Sequence, residues 1–416
     1  MKRDTLDMGN PKFSTVALLS IGILLVLSGV MIGWLQREKD ERSPVQSDLV
    51  KRSEIIPQLS SFEDASRYFR QLAQDKGAEY AFDVLRTFKF PGSIDMHLLG
   101  HVVGDILYKQ RGLEGIKKCT QDFRNACSHS IVVGAFLEKG EEALESIAQV
   151  CRLAPGGRGA YAMCFHGLGH GILAYAKYNL EKAVDICEKT GSAQNQFGEP
   201  MECIGGTIME MISGGFHNQS LWQKERKRYF TIHDPFSPCN RDFIPEEARS
   251  ICYIYLTPWL WEAVGADMRN PTPVDFEKAF KLCDQLSFEY RDVCYGGFGK
   301  EFVVLAKGRD IRIMTRENTS DVQLASIYQW CTLAHDEGGI SSCLLSALNS
   351  LYWMGTNDRM IAIRFCEKGE EDAHRLSCFS SLIGLVDFYI QDSLYRREFC
   401  RELPEEYEAQ CLSRLQ

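Results

Sequence analysis

Apolar positions along the chain change their period at three places. From Phe13 to Gln36 there are 24 residues without a charge, bounded by Lys12 and Arg37. As a helix rising about 1.5 Å per residue this run spans about 36 Å, enough for a hydrocarbon core of roughly 30 Å. The pattern predicts a transmembrane helix over 13–36 behind a short tail, 1–12. The run exceeds the roughly 7–15 residues of a signal-peptide core, and Ser28 to Leu35 offers no Ala-x-Ala site, so an uncleaved signal-anchor is expected. Residues 37–60 are charged and polar, with Pro44 and Pro57, and read as a solvated stalk. A helical period then sets in. Ser60-Ser61-Phe62-Glu63 has capping-box spacing, and Phe62, Ala65, Phe69, Leu72 and Ala73 share one face. A second helix is expected from roughly Glu79 to Phe88, stopped by Pro91. Beyond it the chain reads as long helix, loop, short helix, turn; the first long helix holds His97 to Tyr108 and the first short one ends at Cys119. Strand signals are scarce. The expectation is an all-α domain over 61–416, an α/α helical-hairpin repeat.

Composition narrows the class. With 416 residues, 45% apolar and 25% charged, the chain has ordinary globular content, which excludes a disordered, collagen-like or multi-span membrane protein. A net charge of -9 argues against nucleic acid as a partner, because displacing counterions from phosphates needs a basic face.

The sixteen cysteines fall into eight consecutive pairs: Cys119/Cys127, Cys151/Cys164, Cys187/Cys203, Cys239/Cys252, Cys283/Cys294, Cys331/Cys343, Cys366/Cys378 and Cys400/Cys411. Partners stand 8 to 16 residues apart, and successive first members 32 to 52 apart, so each repeat carries one pair. Each first cysteine ends a helix-like stretch, as in Leu180 to Cys187, and each second opens another, as in Cys294 to Lys300. Zinc knuckles need shorter intervals such as Cys-x-x-Cys. Disulfides need alpha carbons within about 7 Å, which two helix ends at a tight turn supply. Disulfides persist in oxidising compartments, so the domain is expected on the periplasmic or extracellular side, with the N-terminus cytoplasmic. Flanking charge is balanced, Lys2, Arg3 and Lys12 against Arg37, Lys39 and Arg42, and does not decide the orientation.

Leu282-Cys283-Asp284-Gln285-Leu286 followed by Cys294-Tyr295-Gly296-Gly297, together with Cys164-Phe165-His166-Gly167, resembles the Sel1-like, tetratricopeptide-related cysteine-rich repeats. The likeness runs over roughly residues 90 to 416. It implies a curved superhelix that binds or assembles proteins, and it brings no catalytic residues. Three units are longer, with extra residues at Gly214 to Trp222, Gly265 to Val274 and Lys307 to Asp321, and a further stretch from His233 to Pro238. Long loops on one rim are where repeat proteins commonly bind partners. The first is the richest, setting Phe216, Trp222, Tyr229, Phe230, His233 and Phe236 among Lys224, Arg226, Lys227 and Arg228, a surface or lid for an acidic partner or a membrane headgroup. Asn218-Gln219-Ser220 and Asn318-Thr319-Ser320 are glycosylation acceptors by pattern.

Five of nine histidines fall on the first three long helices: His97 and His101, His129, His166 and His170. Aligned on the second cysteine, Cys127-Ser128-His129 matches Cys164-Phe165-His166, and Asp95-Met96-His97 takes the same place one unit earlier. Each His-x3-His pair projects from one helix face. If that face is concave, five imidazoles meet in one cradle, and imidazole suits zinc, copper, iron or haem. Asp105, one turn past His101, is a further ligand or a partner that orients a ring; Glu138 and Glu210 are weaker additions. The alternative is that these histidines bond between helices packed closely through Gly100, Gly104, Gly134, Gly167 and their neighbours. Later repeats carry Gly296/Lys300, Leu345 and Ser380 instead, confining the site to the first half. Hydrolase, phosphate-loop, dinucleotide and His-Glu-x-x-His motifs are absent. Two functions remain: a membrane-anchored binding or assembly scaffold with a metal or haem site on its concave face, or a metal-dependent hydrolase or oxidase acting in the cradle.

Overall fold

A computed structural model describes residues 59–88, 90, 94–191, 198–214, 218–268, 270–309, 318–354, 358–390 and 392–414. The expected tail 1–12 and transmembrane segment 13–36 lie outside them, as does the stalk apart from Leu59 and Ser60. Among the described residues no helix is long and apolar enough to cross a membrane.

Folding begins with α1 (Phe62–Lys76), whose expected apolar face, Ala65, Phe69, Leu72 and Ala73, is buried. Its N-cap is Ser61 rather than Ser60: Ser61 Oγ accepts from Asp64 N at 3.1 Å. Gly77, at φ 93, turns the chain into α2 (Ala78–Thr87). Then come α3 (Met96–Arg111), α4 (Asp122–Lys139), α5 (Leu144–Cys151), α6 (Gly157–Tyr175), α7 (Leu180–Cys187), α8 (Glu199–Ser213), α9 (Gln219–Tyr229) and α10 (Glu246–Ala263). The second half continues with α11 (Pro273–Cys283), α12 (Phe288–Ala306), α13 (Asp321–Cys331), α14 (Glu337–Met354), α15 (Arg359–Cys366), α16 (Asp372–Tyr389), α17 (Ser393–Glu402) and α18 (Glu405–Arg414). The described residues contain no strand, only an isolated bridge between Thr231 and Asp234. The segment ending at Cys119 is a 3-10 helix, Gly112–Lys118, too short for more than two tight turns.

Boundaries follow local chemistry. Asp95, Asn179 and Asp392 accept backbone N–H groups at the starts of α3, α7 and α17, and Thr272/Asp275 and Ser320/Gln323 form reciprocal capping boxes on α11 and α13. All eight expected cysteine pairs are bonded, with alpha carbons 5.4–5.6 Å apart. Five of them tie the last residue of a short helix, Cys151, Cys187, Cys283, Cys331 or Cys366, to the following long one.

The long helices pack in sequence, α3 on α4, α4 on α6, then α8, α10, α12, α14 and α16. The row curls until α16 meets α6, where Arg158 donates to the Phe388 carbonyl at 3.2 Å and lies over the Phe388 ring. Buried aromatic residues such as Trp261, Phe276, Phe298 and Phe302 fill the space between long and short helices. The inner wall formed by the curl faces a cavity. The first long insertion is largely helical, in α9: Tyr229 and Phe230 are buried, and Arg226 stacks on Trp222, Phe230 and Trp259 while pairing with Glu262 at 2.7 Å. Those groups support the fold rather than stand free as a lid; Phe216 lies outside the described residues.

Candidate metal centre

Glycine lets the helices approach closely enough for rings on different helices to meet. A side chain at Gly167 would run into the ring and alpha carbon of His129, and one at Gly206 into the carbonyl of His166. The consequence is one cluster of five imidazoles from α3, α4 and α6. Ring centroids stand 4.7 Å apart for His97/His101, 5.7 Å for His97/His129, 5.5 Å for His129/His170 and 5.1 Å for His166/His170. Ligating nitrogens of His97, His101 and His129 all lie within 4.8 Å of one another.

Hydrogen bonds orient the rings at the centre of this cluster, and the tautomer follows for His97. His97 Nδ1 sits 2.7 Å from the Phe123 carbonyl, which only accepts, so Nδ1 carries the proton. Ser130 Oγ lies 3.1 Å from the His101 carbonyl and 3.0 Å from His101 Nδ1, and its one hydrogen can serve either. The neutral His97 ring therefore presents its Nε2 lone pair to His101 Nε2 at 3.2 Å. Burial drives the His97 ring down from 6.5 to about 4 against the pull of Asp95 and the Phe123 carbonyl.

The same arrangement recurs on α6. His170 Nδ1 donates to Glu210 Oε2 at 2.9 Å, which leaves its buried Nε2 without a hydrogen-bond partner. Both nitrogens of His129 and Nδ1 of His166 are also buried and unpartnered, while His166 Nε2 lies 3.3 Å from Met209 Sδ. Each unpaired buried polar group costs about 1–3 kcal/mol. His129 and His166 are held well below 6.5, first by burial and then by the neighbouring His170 ring. Imidazoles with one nitrogen held by a carbonyl, hydroxyl or carboxylate are oriented as metal ligands usually are. Nitrogens bound to zinc at about 2.0–2.1 Å sit roughly 3.3 Å apart, close to the observed 3.2 Å for His97 and His101.

Asp105 is half-buried one turn beyond His101 and is not among the donors of the three-histidine group, whose centre lies nearer the start of α3. Glu138 takes the Tyr108 hydroxyl at 2.6 Å instead. Glu210 does reach the site, as the carboxylate that holds His170. Phe123, Arg124 and Asn125 run at φ 56, 53 and 62, left-handed values that cost L-residues roughly 1–2 kcal/mol each. This stretch, inside the Cys119–Cys127 bridge, aims the Phe123 carbonyl at His97. A second grouping, Glu337, Glu371 and His374, has exposed carboxylates, and both His374 nitrogens are already bonded, to Tyr328 at 3.1 Å and Glu337 at 2.9 Å.

Beside the imidazoles lies a cavity of about 230 Å³, bordered by His97, His129 and His166, by Arg124 from the same helix as His129, and by Glu202, Tyr255, Lys300 and Trp353 from later helices. Six residues after the second cysteine of their repeats stand His170, Met209, Lys300 and Asn349, and the last three line this cavity. Lys300 Nζ lies 4.3 Å from the centre of the Tyr255 ring and 2.8 Å from Glu301. Burial raises the Glu202 carboxyl to about 7 despite Lys300. Burial also pushes Glu301 up, but Lys300 and Arg124 pull it down to about 2.

Compared with protein-family models, curated proteins and solved structures, the chain matches none.

Proposed function

We propose that this chain is a Sel1-like, tetratricopeptide-related helical-repeat protein, carried on the anchor 13–36 with its domain in an oxidising compartment outside the cytoplasm, and that it holds a transition-metal ion at His97, His101 and His129. The observation that carries the metal reading is that ligating nitrogens of His97, His101 and His129 lie within 4.8 Å of one another, with both His129 nitrogens buried and unpartnered. His170, with an unpartnered buried Nε2, is the next donor. With every described cysteine in a disulfide, nitrogen is the donor that remains, which suits zinc, copper or iron. The eight staples support a rigid scaffold that would meet a protein partner on its outer surface.

A second reading, metal-assisted catalysis, is favoured by the cavity itself. Glu202, held near 7, has a carboxyl suited to taking and returning a proton at neutral pH, next to a histidine wall. Elemental analysis of the purified full chain tests the shared premise. One zinc, copper or iron per chain is expected, lost in the His101→Ala/His170→Ala variant with the helical circular dichroism unchanged. Metal-free wild type after reconstitution, or an unchanged content in the variant, contradicts it.

A further inference from the structure

We propose that the cavity beside the histidines binds the carboxylate of a small, partly apolar organic acid, held by Arg124 and Lys300. The inference deepens the metal-centre reading and rests on it for the wall that the rest of the ligand faces. Its own support is the charge arrangement on the other side. Arg124 and Lys300 have side chains only 18% and 15% exposed, and they share one acid, Glu301. Lys300 takes Glu301 Oε1 at 2.8 Å, which leaves Arg124 at 3.8 Å from the same oxygen. Among the described residues no other acid lies within ion-pair distance of Arg124. Its guanidinium is a planar fork of donors that matches a carboxylate with two parallel bonds, and it is held at the cavity by the left-handed stretch 123–125.

Charge sets the sign of the ligand. Glu301 is ionised against two cations, and Glu202, held near 7, offsets the remaining positive charge only in part at neutral pH, so the cleft stays positive and a metal ion would add to it. An anion is what such a space takes. Shape sets the class. The volume equals that of roughly eight waters at about 30 Å³ each, and the remaining lining includes Met163, Ile251, Ile254 and the Trp353 ring. The cleft also presents Ser346, Asn349, Ser350 and Tyr389, but the Met163, Ile251 and Ile254 side gives a phosphate no hydrogen-bond partner, whereas an acid with a hydrocarbon or aromatic body covers it. Trp353 Nε1, buried and without a hydrogen-bond partner, is one more donor at the rim.

The test is calorimetric titration of the full chain with benzoate, its neutral isostere benzamide, and inorganic phosphate, before and after chelation of metal. Benzoate is expected to bind at least tenfold more tightly than benzamide or phosphate, and to do so in the chelated protein as well. Arg124→Met and Lys300→Met are each expected to weaken benzoate by at least tenfold and to leave benzamide unchanged. Equal binding of benzoate and benzamide, tighter binding of phosphate, or no binding overturns the proposal on wild type alone, whether or not the variants fold. Benzoate that binds only to the metal-loaded protein and ignores both substitutions also overturns it while leaving the metal centre standing. Benzoate binding to a chain that never retains metal supports this site and removes the metal reading.

Discussion

Buried neutral imidazoles make a quantitative statement about acid stability. His97 has its ring lowered from 6.5 to about 4 in the fold, so on acidification the unfolded chain takes a proton before the folded one does. Its contribution is fully present above about 6.5 and is lost as the pH falls towards 4, with a slope approaching about 1.4 kcal/mol per pH unit. Between pH 7 and pH 5 that amounts to about 2 kcal/mol for this one group. His129 and His166 act in the same sense. Glu202 acts in the opposite one: its carboxyl is raised from 4.5 to about 7, so the fold gains about 2 kcal/mol from it over the same interval. The total profile therefore mixes both signs, and the informative quantity is a difference. Urea unfolding of chelated wild type and His97→Gln at pH 7, 6 and 5 measures it. The wild type is expected to lose about 2 kcal/mol more than the variant between pH 7 and 5. Parallel profiles would refute the reasoning, because the His97 ring would then titrate alike in both states.

Two further outcomes follow from the helix contacts and the staples. Gly167→Ala places a methyl group against the ring and backbone of His129, so it is expected to cost several kcal/mol in thermal or urea unfolding through overpacking and to abolish metal retention. Removing the Cys187–Cys203 bridge, whose partners are 16 residues apart, frees the unfolded chain by about 3 kcal/mol; thiol counting on the denatured, unreduced wild type should find no free thiol.

The staples and the histidine register were legible in the sequence because both are local. A cysteine at the end of one helix and another at the start of the next are brought together by a single turn, so spacing alone identifies Cys283 with Cys294. His129 and His166 share a position two residues past the second cysteine, and equal phase on stacked helices puts them on one wall. The same rule places Lys300, which stands where His170 stands in its own repeat; read as the loss of a histidine, it is the cation across the cavity. What the sequence could not supply depends on long-range curvature. Only the return of α16 onto α6 encloses the space that Arg124, Glu202, Tyr255 and Lys300 share. The left-handed run at Phe123, Arg124 and Asn125 has no glycine to announce it. The partners that hold His97 and His101, a backbone carbonyl and Ser130, carry no motif. Asp105 was suggested by its i+4 spacing, but one turn along α3 carries it past the centre of the group.

X-ray absorption at the metal edge of the reconstituted full chain tests the central claim most directly. Three or four imidazole nitrogens at about 2.0–2.1 Å, and no sulfur near 2.3 Å, are predicted, since His97, His101 and His129 present the nitrogens and the cysteines are bonded to each other. A shell dominated by oxygen or sulfur, or a spectrum unchanged in His101→Ala/His170→Ala, would contradict a metal centre built from these histidines.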